Sequence, residues 1–86
     1  MSQFQIENAK GQSVVYGFDH VAGYFIQVHE PNGQVAVHRS SSMDGLTGSE
    51  LVEVAEGNGV ALPDDHMLCA MLDLPIGAWN PLLVGQ

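Results

Sequence analysis

Between residues 3 and 38, apolar side chains fall on every second position in four successive segments: Phe4 and Ile6; Val14, Tyr16 and Phe18; Tyr24, Ile26 and Val28; Val35 and Val37. Period two is the mark of a strand with one buried face, because successive side chains point to opposite sides of the pleat. Turn residues stand between the segments: Asn8-Ala9-Lys10-Gly11, Asp19 to Gly23, and Pro31-Asn32-Gly33. Glycine enters left-handed backbone without steric penalty, and Asn-Gly between alternating segments is a strong hairpin signal. Three hairpins in sequence make an antiparallel meander of three to four strands.

The same letters test the register. A two-residue Asn32-Gly33 loop sets Val28 opposite Val37, Glu30 opposite Val35, His29 opposite Ala36 and Gln27 opposite His38. A loop over residues 19–23 sets Phe18 opposite Tyr24, Tyr16 opposite Ile26 and Val14 opposite Val28, all on one face. Gly17 then pairs with Phe25 on the other face, a glycine covered by a cross-strand aromatic. A loop one residue longer or shorter at either turn breaks this partition.

Residues 47–74 read as two short helices. Thr47-Gly48-Ser49-Glu50 has the form of a capping box, and Leu46 and Leu51 are spaced as a hydrophobic staple. Leu51, Val54 and Ala55 supply the buried stripe, and Gly57-Asn58-Gly59 ends the helix. Pro63 at a first helical position, followed by Asp64 and Asp65, opens a second helix expected to turn Leu68, Met71 and Leu72 inward and to end at Pro75. The expected fold is α+β, with both helices packed on one face of the sheet. A tail over residues 76–86, with Trp79, Pro81 and Leu82-Leu83-Val84, completes the single domain that 86 residues allow. Ser40-Ser41-Ser42 reads as the loop between the halves.

Cys69 is the one cysteine, so no intramolecular disulfide can staple the chain. With no charged n-region leading into an apolar stretch, a cytoplasmic location is expected. No apolar run approaches the roughly 18 residues of a membrane span.

Charge narrows the partners. Ten acidic against two basic side chains give a net charge of −8, of which −1 belongs to residues 1–43 and −7 to residues 44–86. A surface of that sign disfavours direct binding to nucleic acid or an anionic membrane. Glu50, Glu53 and Glu56 recur every third residue, about 5–6 Å apart along a helix, a spacing like that of phosphates. No Lys or Arg is placed to relieve them. The plain account is a solvated face that keeps a small protein in solution. The sharper one is a surface that imitates a nucleic-acid backbone toward a basic groove, with Asp44, Glu50, Glu53, Glu56, Asp64 and Asp65 as partner-binding residues.

A second candidate surface is the sheet face away from the helices. Val15, Phe25 and Ala36, rimmed by Gln27, His29 and His38, make an apolar centre with a polar edge, suited to self-association as a homodimer unless the tail covers it. His29 and His38 are diagonal neighbours roughly 7 Å apart, but a third ligand is lacking, so no metal and no cofactor are expected. Cys69, three residues after His66, reads either as an activated thiol or as a small buried hydrophobe. No phosphate-cradling loop and no orienting acid accompanies it, so the chain is expected not to be an enzyme; a small metal-dependent enzyme is the remaining alternative.

Tyr16-Gly17-Phe18-Asp19-His20, Gly23-Tyr24-Phe25-Ile26-Gln27-Val28 and Leu62-Pro63-Asp64-Asp65 together resemble a pattern in small prokaryotic proteins, some borne by mobile elements. The likeness spans residues 15–74 and transfers no catalytic residue. In size and acidity the chain is also similar to phage-encoded anti-CRISPR proteins, several of which mimic DNA. What that resemblance implies is an inhibitor or adaptor whose partner is a basic, nucleic-acid-handling surface such as a CRISPR effector subunit.

Overall fold

The computed structural model describes residues 2–74 and Ile76, with Ser2 given by its backbone. β1 (Ser2–Glu7), β2 (Ser13–Asp19), β3 (Gly23–His29) and β4 (Val35–Ser40) form one antiparallel sheet in the order β1-β2-β3-β4. α1 (Ser41–Asp44), α2 (Gly48–Gly57) and α3 (Asp64–Met71) follow. The α+β meander is as the alternation predicts, and β2 against β3 keeps the expected register, with Phe18, Tyr16 and Val14 opposite Tyr24, Ile26 and Val28 and Gly17 opposite Phe25.

The third hairpin differs from expectation. Glu30 N–H donates to the Gln34 carbonyl and Gly33 N–H to the Glu30 carbonyl, so the loop is the three residues Pro31-Asn32-Gly33, with Gly33 at φ +91°. Proline is pre-set for the first corner of such a turn and glycine for its left-handed last residue, which favours this loop over a two-residue one. His29 therefore faces Val35, and Glu30 no longer does. A bulge between Val28 and His29 sets Val28 opposite Val37 again and leaves Ala36 without a cross-strand partner. Two irregularities thus cancel, and the buried face survives an odd-length loop.

The core lies between the sheet and the helices. Val14, Tyr16, Ile26 and Val28 from the strands meet Leu46, Leu51, Val52, Ala55, Val60, Leu62, Cys69, Ala70 and Ile76. Thr47 caps α2 in a complete capping box, and the staple residues Leu46 and Leu51 are both buried. The Gly59 N–H returns to the Glu56 carbonyl and the Val60 N–H to the Ala55 carbonyl, a Schellman ending that uses Gly59 at φ +78°.

Ser40-Ser41-Ser42 is not a loop. Ser40 caps the single turn α1 by accepting from Met43 N–H, and Gly45 ends it in left-handed backbone. α3 departs further from expectation: Pro63 is its N-cap, and it stops before Pro75. Asp73 N–H donates to the Ala70 carbonyl and Leu74 N–H to the Cys69 carbonyl, with Asp73 at φ +58°. Its orientation is also rotated. Leu68, Met71 and Leu72 are exposed, while Cys69 and Ala70 are buried and Met67 packs against the core. Small residues win the inward positions because α2 and α3 cross at Gly48, where a Cβ would collide with the Ala70 carbonyl. The expectations for Trp79, Pro81 and Leu82-Leu83-Val84 lie outside the described residues.

Candidate functional site

The helical layer carries the acidic residues, and the fold divides them. Asp44, the last residue of α1, accepts a 2.8 Å hydrogen bond from Arg39 Nε, and its other oxygen accepts from Ser40 N–H. Arg39 Nη2 stands 3.5 Å from a Glu50 carboxylate oxygen. The expectation that no cation relieves the glutamate row is thus corrected: Arg39 projects from β4 at the position opposite Ile26, on the helix-bearing side. Its hydrogen bond holds the Asp44 carboxyl below the usual carboxylate range, and Asp44 in turn raises the guanidinium. Glu50 also accepts from Thr47 N–H as the reciprocal half of the capping box. Asp44 and Glu50 are therefore tied to partners within the fold, with their side chains still 40% and 43% exposed.

Glu53 and Glu56 are different. Both are exposed on the side of α2 turned away from the buried Leu51, Val52 and Ala55, with no ion-pair partner among the described residues. Glu56 lines a shallow cleft with Asn8, Lys10, Gln12 and Asn58, where the Asn8 side chain donates 2.8 Å hydrogen bonds to Gln12 Oε1 and the Asn58 carbonyl. Asp64 is exposed and Asp65 half-buried in the first turn of α3. The Asp65 carboxylate lies 4.0 Å from His66 Nε2. α3 sits over β1 and β2, because the His66 ring packs on Phe4 at 4.1 Å between centroids and its Nδ1 is 2.7 Å from Tyr16 Oη. Asp44 and Glu50 belong instead to the β4 side. The six carboxylates share one layer without forming one patch.

On the opposite sheet face, Val15, Phe25, Gln27 and His29 are half-buried, and Ala36 and His38 are exposed. The ionised side chains of this face stand at its ends, Glu7 opposite Ser13 and Asp19 opposite Gly23. Asp19 is held by its own turn, where it accepts from Val21 and Ala22 N–H groups that lower its pKa. His29 Nε2 is 2.8 Å from Gln27 Oε1, and the bulge at Ala36 intervenes between His29 and His38 on the partner strand. Among the described residues no three His, Cys, Asp or Glu side chains are grouped to hold a metal ion. No helix among them is long and apolar enough to cross a membrane. Cys69 is 1% exposed, with the place of a small buried hydrophobe.

Sequence reasoning missed Arg39 and the Tyr16–His66–Phe4 cluster. Arg39 is eleven positions from Glu50, beyond any helical spacing rule, though its helix-side position on β4 follows from the strand parity of Val37. The His66 cluster depends on the rotation of α3, which hydropathy misassigns. Comparison with protein-family models, curated proteins and solved structures gave no match.

Proposed function

We propose that this chain is a small non-enzymatic binding protein, an inhibitor or adaptor whose helical layer engages a basic protein surface of the kind that otherwise holds nucleic acid. The observation that carries this reading is that α2 and α3 bear five carboxylates and no Lys or Arg, while Arg39 compensates only Glu50 among them. Glu53, Glu56 and Asp64 remain exposed to a partner's guanidinium and ammonium groups, to which carboxylates make strong charge-assisted hydrogen bonds. The binding set contracts to Glu53, Glu56, Asp64 and Asp65, since Asp44 and Glu50 serve the fold. The most specific version is an anti-CRISPR protein that occupies a DNA-binding surface of an interference complex.

Affinity capture from the native host with the wild-type chain and with a Glu53→Lys, Glu56→Lys double variant tests this. The expected result is a basic nucleic-acid-binding protein retained by the wild type, released by salt and lost with the variant. Equal capture of the same partner by both chains would overturn the reading.

A further inference from the structure

Asn-Gly occurs twice in the described residues, as Asn32-Gly33 and as Asn58-Gly59. The pair has a chemistry of its own. The backbone nitrogen of the glycine can attack the amide carbon of the asparagine side chain, because no Cβ on the following residue bars the approach. The sequence makes the two pairs equal, and so does the nucleophile. Gly33 and Gly59 stand at φ +91° and +78°, and their N–H groups donate to the Glu30 and Glu56 carbonyls at 2.9 and 3.0 Å.

The two asparagines are held differently. Asn58 is the half-buried C-cap of α2. Its Nδ2 donates to the Val54 carbonyl at 2.8 Å, its own carbonyl accepts from Asn8 Nδ2 at 2.8 Å, and Val60 two residues on is in the core. Turning that side chain onto Gly59 undoes the end of α2 and its tie to the β1–β2 turn. Asn32 is the exposed middle residue of the Pro31-Asn32-Gly33 loop. Its Oδ1 accepts from Gln34 N–H at 3.0 Å, an Asx turn that already folds the side-chain carbonyl forward along the Gly33 peptide. The same N–H points at the oxygen on which negative charge gathers as the nitrogen attacks, the place of an oxyanion donor. Among the described residues, chain neighbours apart, no heavy atom lies within 4 Å of where a Gly33 Cβ would stand. The peptide can therefore swing with the loss of little more than its bond to Glu30.

We infer that Asn32 is a site of self-modification by ring closure and hydrolysis, and that the fold keeps Asn58, in the same dipeptide, intact. The Gly33 nitrogen gives its proton to a solvent base and bonds to the Asn32 side-chain carbon. The bond from that carbon to Nδ2 breaks, and ammonia leaves with a proton from solvent. Water then opens the five-membered imide at one of its two carbonyls, giving an aspartyl or an isoaspartyl residue at position 32. One water is consumed, one ammonia is released and nothing is oxidised or reduced. The product carries one more carboxylate, which takes the net charge from −8 to −9. The isoaspartyl form also adds a methylene to the backbone of a loop whose length the bulge between Val28 and His29 offsets.

Prolonged incubation of the full chain in mildly alkaline buffer, followed by isoelectric focusing and peptide mass mapping, tests the inference. The expected result is a species one charge more acidic, with amide replaced by acid in the peptide that holds position 32. Conversion there should be at least about tenfold faster than at position 58, a difference of about 1.4 kcal/mol in barrier. In urea the two pairs should react at similar rates, which assigns the difference to the fold. Asn32→Ser should abolish the acidic species in the native chain. Equal rates at positions 32 and 58 in the native chain overturn the inference, and so does a native position 32 that stays intact while the unfolded chain reacts.

Discussion

Tyr16 and Tyr24 both stand on the helix side of the sheet, and each places its hydroxyl on a group fifty positions further along the chain. Tyr16 Oη meets His66 Nδ1 at 2.7 Å, and Tyr24 donates to the Leu74 carbonyl at 2.6 Å. Burial disfavours the phenolate, and the carboxylates of Asp65 and Asp73 add to this, so both pKa values are pushed up to about 12. The unfolded tyrosines ionise near 10, so the folded state gains nothing from them in acid and loses stability as pH rises from 10 toward 12. At about 1.4 kcal/mol per pH unit, each tyrosine removes roughly 2–3 kcal/mol across that window. Urea unfolding at pH 9 and 11.5 should show the fall, and Tyr24→Phe should show about half of it; equal stability at the two pH values would contradict the assignment. The alternation of β2 and β3 places both rings in the core. Their hydroxyl partners were not legible, because they depend on how α3 is rotated.

At the scale of elements, α2 was legible from Leu46 to Gly59 and α3 was not, for a common reason. α2 is specified by local chemistry, a capping box, a staple and a glycine stop, all within a dozen residues. α3 is specified by a neighbour: the absence of a side chain at Gly48 lets the backbone of Ala70 approach, and that closeness selects Cys69 and Ala70 over Leu68 and Leu72 for the inward positions. Hydropathy ranks leucine above alanine for burial and so turns the helix the wrong way. The bulge at Ala36 was hidden similarly, since it answers a loop length that Pro31 sets. Gly48→Ala should therefore cost at least about 1–3 kcal/mol, the range for overpacking a filled interface, since the obstacle is backbone. Gly57→Ala, at the end of the same helix with open space around it, should be neutral or stabilise by up to about 1 kcal/mol. Thermal melts of the two variants check this pair, and equal effects would dismiss the close crossing as the cause of α3's orientation.

Across the whole molecule, charge and shape divide the labour. The helical layer gathers most of the net charge of −8, and the sheet presents an outer face and a β1 edge that are nearly uncharged. The candidate site was legible as a composition and not as a patch: the row of glutamates could be read from spacing, whereas the pairing of Asp44 and Glu50 with Arg39 needed three dimensions. Along the row of Glu50, Glu53 and Glu56, neighbours repel by roughly 0.2–0.5 kcal/mol per pair, so a chain selected for stability alone would keep Glu50 for its cap and not Glu53 and Glu56. Screening must then stabilise this protein in isolation, opposite to its effect on a bound basic partner. The melting temperature of the wild type should rise between about 20 and 300 mM sodium chloride, over which the Debye length shrinks from roughly 20 to 6 Å. Glu53→Lys with Glu56→Lys halves the net charge to −4 and should flatten that rise while increasing stability at low salt. A melting temperature indifferent to salt in both chains would mean that the carboxylates lie too far apart to feel one another, and a partner's cations would then meet isolated charges instead of a row.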